Sequence, residues 1–153
     1  MILARTFLIT ILIAELMGCA GCGRQPGDGV SGSADRKDQA RETDDLAREE
    51  LNDPNHAEAR EWLRDPSHIL FEGSREHVVT LVDQFYRDGA VKVWVTGIER
   101  IMDADVTATI VVELPDGKAS RKKIFDVEAS WQKDAGEDPA VDVGQKYLRI
   151  LLD

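Results

Sequence analysis

Apolar residues are spread along the chain in three regimes. The first 17 positions are almost continuously apolar, residues 18–66 are polar with isolated apolar points, and beyond about Ser67 apolar residues recur at regular spacing. In that last region His68 to Glu72 (HILFE) reads as a short apolar strand ended by Gly73. Ser74 can N-cap a helix with Glu76 in its first turn. Val78, Leu81, Val82 and Phe85 then repeat at helical spacing, and Gly89 offers a left-handed stop. Val91 to Thr96 and Val106 to Leu114 alternate, as half-buried strands do, with a polar hairpin loop from Glu99 to Asp105 between them. Pro115-Asp-Gly is a turn. Ile124, Val127, Ala129 and Trp131 mark a second helix from Lys118 to about Ala135, and Lys146 to Leu152 (KYLRILL) reads as a last strand after an acidic loop.

The order strand, helix, strand, strand, helix, strand resembles the ferredoxin-like βαββαβ layout over residues 67–153. That resemblance implies an α+β sandwich, with a four-stranded antiparallel sheet and both helices on one face. The layout by itself carries no function.

The polar middle predicts helix in two pieces. The first, about Asp38 to Leu51, is charged all round, with Leu46 and Leu51 as its few apolar points. Asp53 as N-cap and Pro54 at the first helical position then predict a second helix to about Arg64, with Ala59, Trp62 and Leu63 as its stripe. Residues 51–59 resemble the junction between two tetratricopeptide repeats. The pattern occurs once, whereas a repeat stack needs about three copies to bury its faces, so helix-cap chemistry accounts for it. Residues 36–66 are thus expected as a helical segment preceding the domain.

Arg5 supplies a short positive region, and Phe7 to Met17 is an apolar run of 11 residues. A membrane-crossing helix needs about 20 residues, so this length suits a secretory signal. The run Leu16-Met17-Gly18-Cys19 resembles the lipobox of bacterial lipoproteins. That resemblance implies a signal peptide over 1–18, cleavage after Gly18, and a diacylglyceryl thioether with further acyl chains such as palmitate on Cys19. Its partner would be the lipid bilayer and its location the cell envelope, with Ala20 favouring the periplasmic face of the outer membrane in a two-membrane host. Residues 19–35, rich in Gly, Ser, Asp and Pro, read as a flexible tether. Cys19 and Cys22 also spell Cys-x-x-Cys, but an acylated Cys19 cannot cycle as a thiol and no second pair completes a zinc site.

Formal net charge is −10, distributed evenly: 7 basic and 12 acidic residues over 20–66, 11 and 16 over 67–153. An even negative field repels phosphate backbones and anionic lipid, so nucleic acid is not expected as a partner. Arg121-Lys122-Lys123, the only basic run, reads as a solvated helix face. The acidic loop Asp134 to Asp142 and the pair Asp103/Asp105 lack calcium-loop spacing, and His56, His68 and His77 form no zinc pattern. No nucleophile signature appears. Gly73-Ser74-Arg75 only faintly echoes the anion loop of ferredoxin-like acylphosphatases. The expectation is a non-enzymatic domain without cofactor or metal. Its candidate roles are protein interaction or accessory subunit; small-ligand or divalent-ion binding and a cryptic hydrolase stand as alternatives.

Strand alternation singles out one candidate contact face. With Val91, Val93, Val95, Ile110, Val112, Leu148, Ile150 and Leu152 turned toward the helices, Trp94, Val111, Tyr147, Arg149 and Leu151 turn away, as do Lys92, Thr96, Thr107 and Thr109. Two readings stay open. The 54–64 helix folds back and lays Trp62 and Leu63 over this face, or the face binds a partner chain or a second copy. Aromatic residues on such a sheet also resemble RNA-recognition modules, which the acidic charge and export signal oppose.

Overall fold

The computed structural model describes residues 32–70 and 74–152. The expected signal peptide, Cys19 and most of the tether lie outside the described residues. So do Phe71, Glu72 and Gly73. Among the described residues no helix is long and apolar enough to cross a membrane.

The elements in chain order are α1 (Gly32–Asn52), β1 (Ala57–Glu58), α2 (Ala59–Trp62), β2 (Ile69–Leu70), α3 (Arg75–Arg87), β3 (Lys92–Thr96), β4 (Glu99–Ile101), β5 (Ala104–Thr107), β6 (Thr109–Glu113), α4 (Lys118–Ala135) and β7 (Tyr147–Leu151). The fold is α+β. Its main sheet is four-stranded and antiparallel, in the order β1-β3-β6-β7. A second sheet of three strands, β2-β5-β4, pairs β2 parallel to β5 and β5 antiparallel to β4.

This strand order differs from the ferredoxin-like layout. That plan requires the strand before the first helix to join the same sheet as the others. Here the described part of the HILFE run pairs through Ile69 and Leu70, with β5 of the small sheet. The fourth strand of the main sheet is instead Ala57–Glu58, at its edge opposite Val95 and Trp94, and β6 pairs directly with β7 with no strand between them. The segment read as a helix from Pro54 is therefore a turn, a two-residue strand and a single helical turn. Asp53 does not cap a helix. Its carboxylate accepts from Asn55 N–H at 2.7 Å, the closed turn characteristic of Asp, and Asn55 C=O accepts from Ile98 N–H at 3.0 Å, extending the sheet pairing.

The expected long strand 106–114 is broken at Ala108. Thr107, expected to point outward, is 1% exposed, and its hydroxyl donates to Thr96 C=O at 2.6 Å; Val91, expected to point inward, precedes β3 and is 59% exposed. The kink passes the chain from the small sheet into the main one.

The two long domain helices form where their patterns place them. Ser74 accepts from His77 N–H to cap α3, and Gly89 (φ 100°) ends it. Gly136 (φ 84°) ends α4, where Glu137 N–H reaches Gln132 C=O at 2.8 Å. Both pack on one face of the main sheet. Val78, Val82, Phe85 and Ile124 meet Val93, Val95, Ile110, Val112, Leu148 and Ile150 in the principal core. Ala59, Trp62 and Leu63 belong to the same core, so residues expected to precede the domain help to build it. Trp62 stacks on His68 at 4.6 Å, and the Arg75 guanidinium donates to the carbonyls of Leu63 and His68, closing the 59–70 segment onto α3.

Candidate functional site

The opposite face of the main sheet carries the residues that alternation singled out. In register, Trp94 faces Val111, which faces Arg149; Thr109 faces Leu151 and Glu113 faces Tyr147. Trp94, Val111 and Tyr147 are brought together, Arg149 lies at their margin, and Leu151 remains 41% exposed.

A helix does cover this face, but it is α1 and not the 54–64 segment, whose Trp62 and Leu63 lie on the other side of the sheet. Ala47 is fully buried against Val111 and Tyr147, with Leu51 and Trp94 packed around them. This second core is thin because α1 is polar almost throughout. Its attachment is largely polar instead. The Asp44 carboxylate accepts from Lys146 N–H at 2.7 Å and Tyr147 N–H at 2.9 Å. The Glu50 carboxylate binds Arg149 Nε at 2.5 Å through one oxygen and Thr96 Oγ1 at 2.8 Å through the other. Trp94 sits between Lys92 Nζ, 4.1 Å from its ring centre, and the edge-on ring of His56 at 5.2 Å.

The other constellations resolve into packing contacts. Arg121 of the basic run donates to the Asp142 carboxylate and to Gln145 C=O, which holds that carboxyl below its ordinary range and ties the acidic loop to α4. Glu128 of α4 is 1% exposed. Burial pushes its carboxyl upward, while its oxygens accept from Ala140 N–H at 3.2 Å. Tyr86 donates to Glu58 and accepts from Val93 N–H at 3.1 Å; burial and the Glu58 carboxylate push its phenol up to about 12. Among the described residues no group of three or more His, Cys, Asp or Glu side chains is placed to hold a metal ion.

Two features were missed in reading the sequence. A cleft of about 560 Å³ between α3 and α4 is lined by His77, Leu81, Gln84, Val127, Trp131 and Asp134 among others. The small sheet also turns an apolar side outward, with Ile69 49%, Ile101 46% and Met102 93% exposed. The signal for the second was present: Ile101-Met102 interrupts what otherwise reads as a polar hairpin loop.

No protein-family model, curated protein or solved structure matches this chain.

Proposed function

We propose that the chain is a lipoprotein of a bacterial envelope, anchored through acylated Cys19, whose α+β domain makes protein contacts and performs no catalysis of its own. The observation that carries the reading is the run Leu16-Met17-Gly18-Cys19 behind an 11-residue apolar segment too short to span a bilayer. Acyl chains contribute about 0.8 kcal/mol for each methylene they bury, and two or more hold a domain stably at the membrane. The domain's perturbed side chains support a structural role. Tyr86, Glu58, Asp142 and Glu128 each engage a neighbouring segment rather than converge on a cleft. Metabolic labelling with palmitate tests the anchor. Label should enter the parent chain and vanish from Cys19→Ala, and an unlabelled parent with an intact N-terminus by mass would end the proposal.

A second reading, a small-ligand-binding domain, is favoured by one observation. The α3–α4 cleft falls within the size range of ligand pockets, about 300–1,000 Å³, and has an apolar floor with His77, Gln84 and Asp134 at its edge. Trp131 fluorescence titrated with envelope metabolites would detect an occupant, and an unchanged emission across the set would remove this reading.

A further inference from the structure

We propose that the outward side of the three-stranded sheet, centred on Ile101 and Met102, is the domain's docking surface for a partner protein that presents an apolar socket edged with lysine or arginine. This rests on the reading above that the domain makes protein contacts, and it moves the contact away from the face that α1 closes.

The register puts the apolar residues on one side. Ile69 lies beside Val106, Val106 opposite Glu99, and Ile101 opposite Ala104. Residues two apart in a strand share a face, so Ile69 and Ile101 flank Ala104 and the buried Val106 (9% exposed) in a band on one side of the sheet, with Met102 at the tip. Leu70 points the other way, into the principal core. β4 is the outer strand of its sheet, so backbone groups along that edge are also open to pairing.

Met102 is placed against its own preferences. It has φ 55°, a conformation in which turns favour Gly or Asn, and it is 93% exposed. A glycine or asparagine would close this hairpin without either penalty. A partner that buries the side chain accounts for both.

The charges around the band select the partner. Glu99 shares its face and Asp103 adjoins its tip. Arg100, the nearby cation, is turned to the opposite side and bound to Asp105 at 2.8 Å. A second copy would set this acidic rim against itself, within a chain that already carries −10. Anionic lipid head groups would be repelled in the same way. A basic rim around an apolar socket satisfies both parts of the surface.

The test uses the full-length chain in the cells that make it, with a benzophenone side chain placed at Met102 and, as a control, at Val141, which is 64% exposed on the acidic loop. Irradiation should give a discrete protein adduct from position 102 and none of that mass from 141. Charge reversal by Glu99→Lys with Asp103→Lys should reduce the adduct at least about tenfold, because opposed like charges at a contact cost several kcal/mol. The cross-linked peptide should lie beside lysine or arginine. An adduct of twice the chain's mass, an adduct to lipid, one indifferent to charge reversal, or none at all would overturn the proposal. Placing the benzophenone at Ile101 repeats the test if the first variant lacks the parent's thermal transition. Palmitate label read on the same cells separates the two readings. A labelled chain without adduct removes the docking surface and leaves the anchor, and an adduct on an unlabelled chain does the reverse.

Discussion

Under α3 and α4, the main sheet meets Phe85, Ile124, Val78 and Trp62 in a continuous apolar core; under α1, it meets little more than Ala47 and Leu51. The first cover is held by area removed from water, at roughly 25 cal/mol per Å². The second is held by two carboxylates, Asp44 and Glu50, that satisfy backbone and side-chain groups of β3 and β7. Net hydrogen bonds contribute about 0.5–1.5 kcal/mol each, rather more when one partner is charged. The contrast implies that one face defines the fold, while the other is latched and separable.

Among single substitutions, removing Trp62 should produce the largest effect. Its side chain is 4% exposed in the principal core, and Trp62→Ala is expected to cost about 3–5 kcal/mol in urea denaturation. Deletion of residues 1–66 removes β1, Ala59, Trp62 and Leu63 together and should abolish cooperative unfolding. Deletion of 1–52 strips only the α1 cover and should leave a cooperative, less stable domain that binds hydrophobic dye at Trp94, Val111 and Tyr147. If the two deletions behave alike, the two faces are not unequal in the sense argued here.

This asymmetry also explains what was legible beforehand. Val78, Leu81, Val82 and Phe85, and the alternations in β3, β6 and β7, carry their period in the residue types, so the helices and the two sides of the sheet could be read directly. The cover on the second side could not. α1 offers Asp44 to backbone donors about 100 residues away, and a carboxylate bound to a backbone leaves no hydrophobic pattern. β1 was hidden because two residues set no period and Asp53-Pro54 imitates a helix start. The strand order was misread for that reason and because Ile69–Leu70 pairs in the small sheet, which leaves β6 to pair directly with β7. Of the candidate contact residues, Trp94, Val111 and Tyr147 are brought together as alternation implies, but beneath α1. Nothing in their identities distinguishes a surface kept for a partner from one already occupied.

Ala47→Asp probes the latch without truncation. A carboxylate at a fully buried position against Val111 and Tyr147 should cost at least about 1–3 kcal/mol, through desolvation of an unpaired polar group as well as overpacking. The loss should be registered by dye binding and by greater Trp94 exposure, while the main unfolding transition survives. Collapse of the whole domain would show that α1 is integral to the fold.

Within the principal layer, Tyr86→Phe removes the hydroxyl that joins Glu58 of β1 to Val93 N–H of β3, and should cost about 1.5 kcal/mol. The parent's phenol pKa is raised from 10.0 to about 12. The associated stabilisation is complete below pH 10 and is lost as pH rises through about 12. The parent should therefore lose stability over that alkaline window and the phenylalanine variant should not. Parallel pH profiles would show that the hydroxyl contributes nothing.

The smallest effect is expected where α4 clasps the acidic loop, and there two carboxylates pull in opposite directions. Asp142, lowered chiefly by Arg121, contributes stability above the ordinary aspartate range and loses it as pH falls through its depressed value. Glu128, raised by burial, behaves inversely. Its contribution is complete below the ordinary glutamate value of 4.5 and is lost as pH rises through the elevated one, so burial of this carboxyl is a cost to stability once pH has passed that range. Glu128→Gln keeps an oxygen to accept from Ala140 N–H and removes that charge. The variant should equal or exceed the parent at pH 7.5 by up to about 1 kcal/mol, and the difference should shrink toward zero near pH 4, where the parent's carboxyl is itself protonated. A variant weaker than the parent at pH 7.5 would mean that the carboxyl's bond to Ala140 outweighs the cost of burying it.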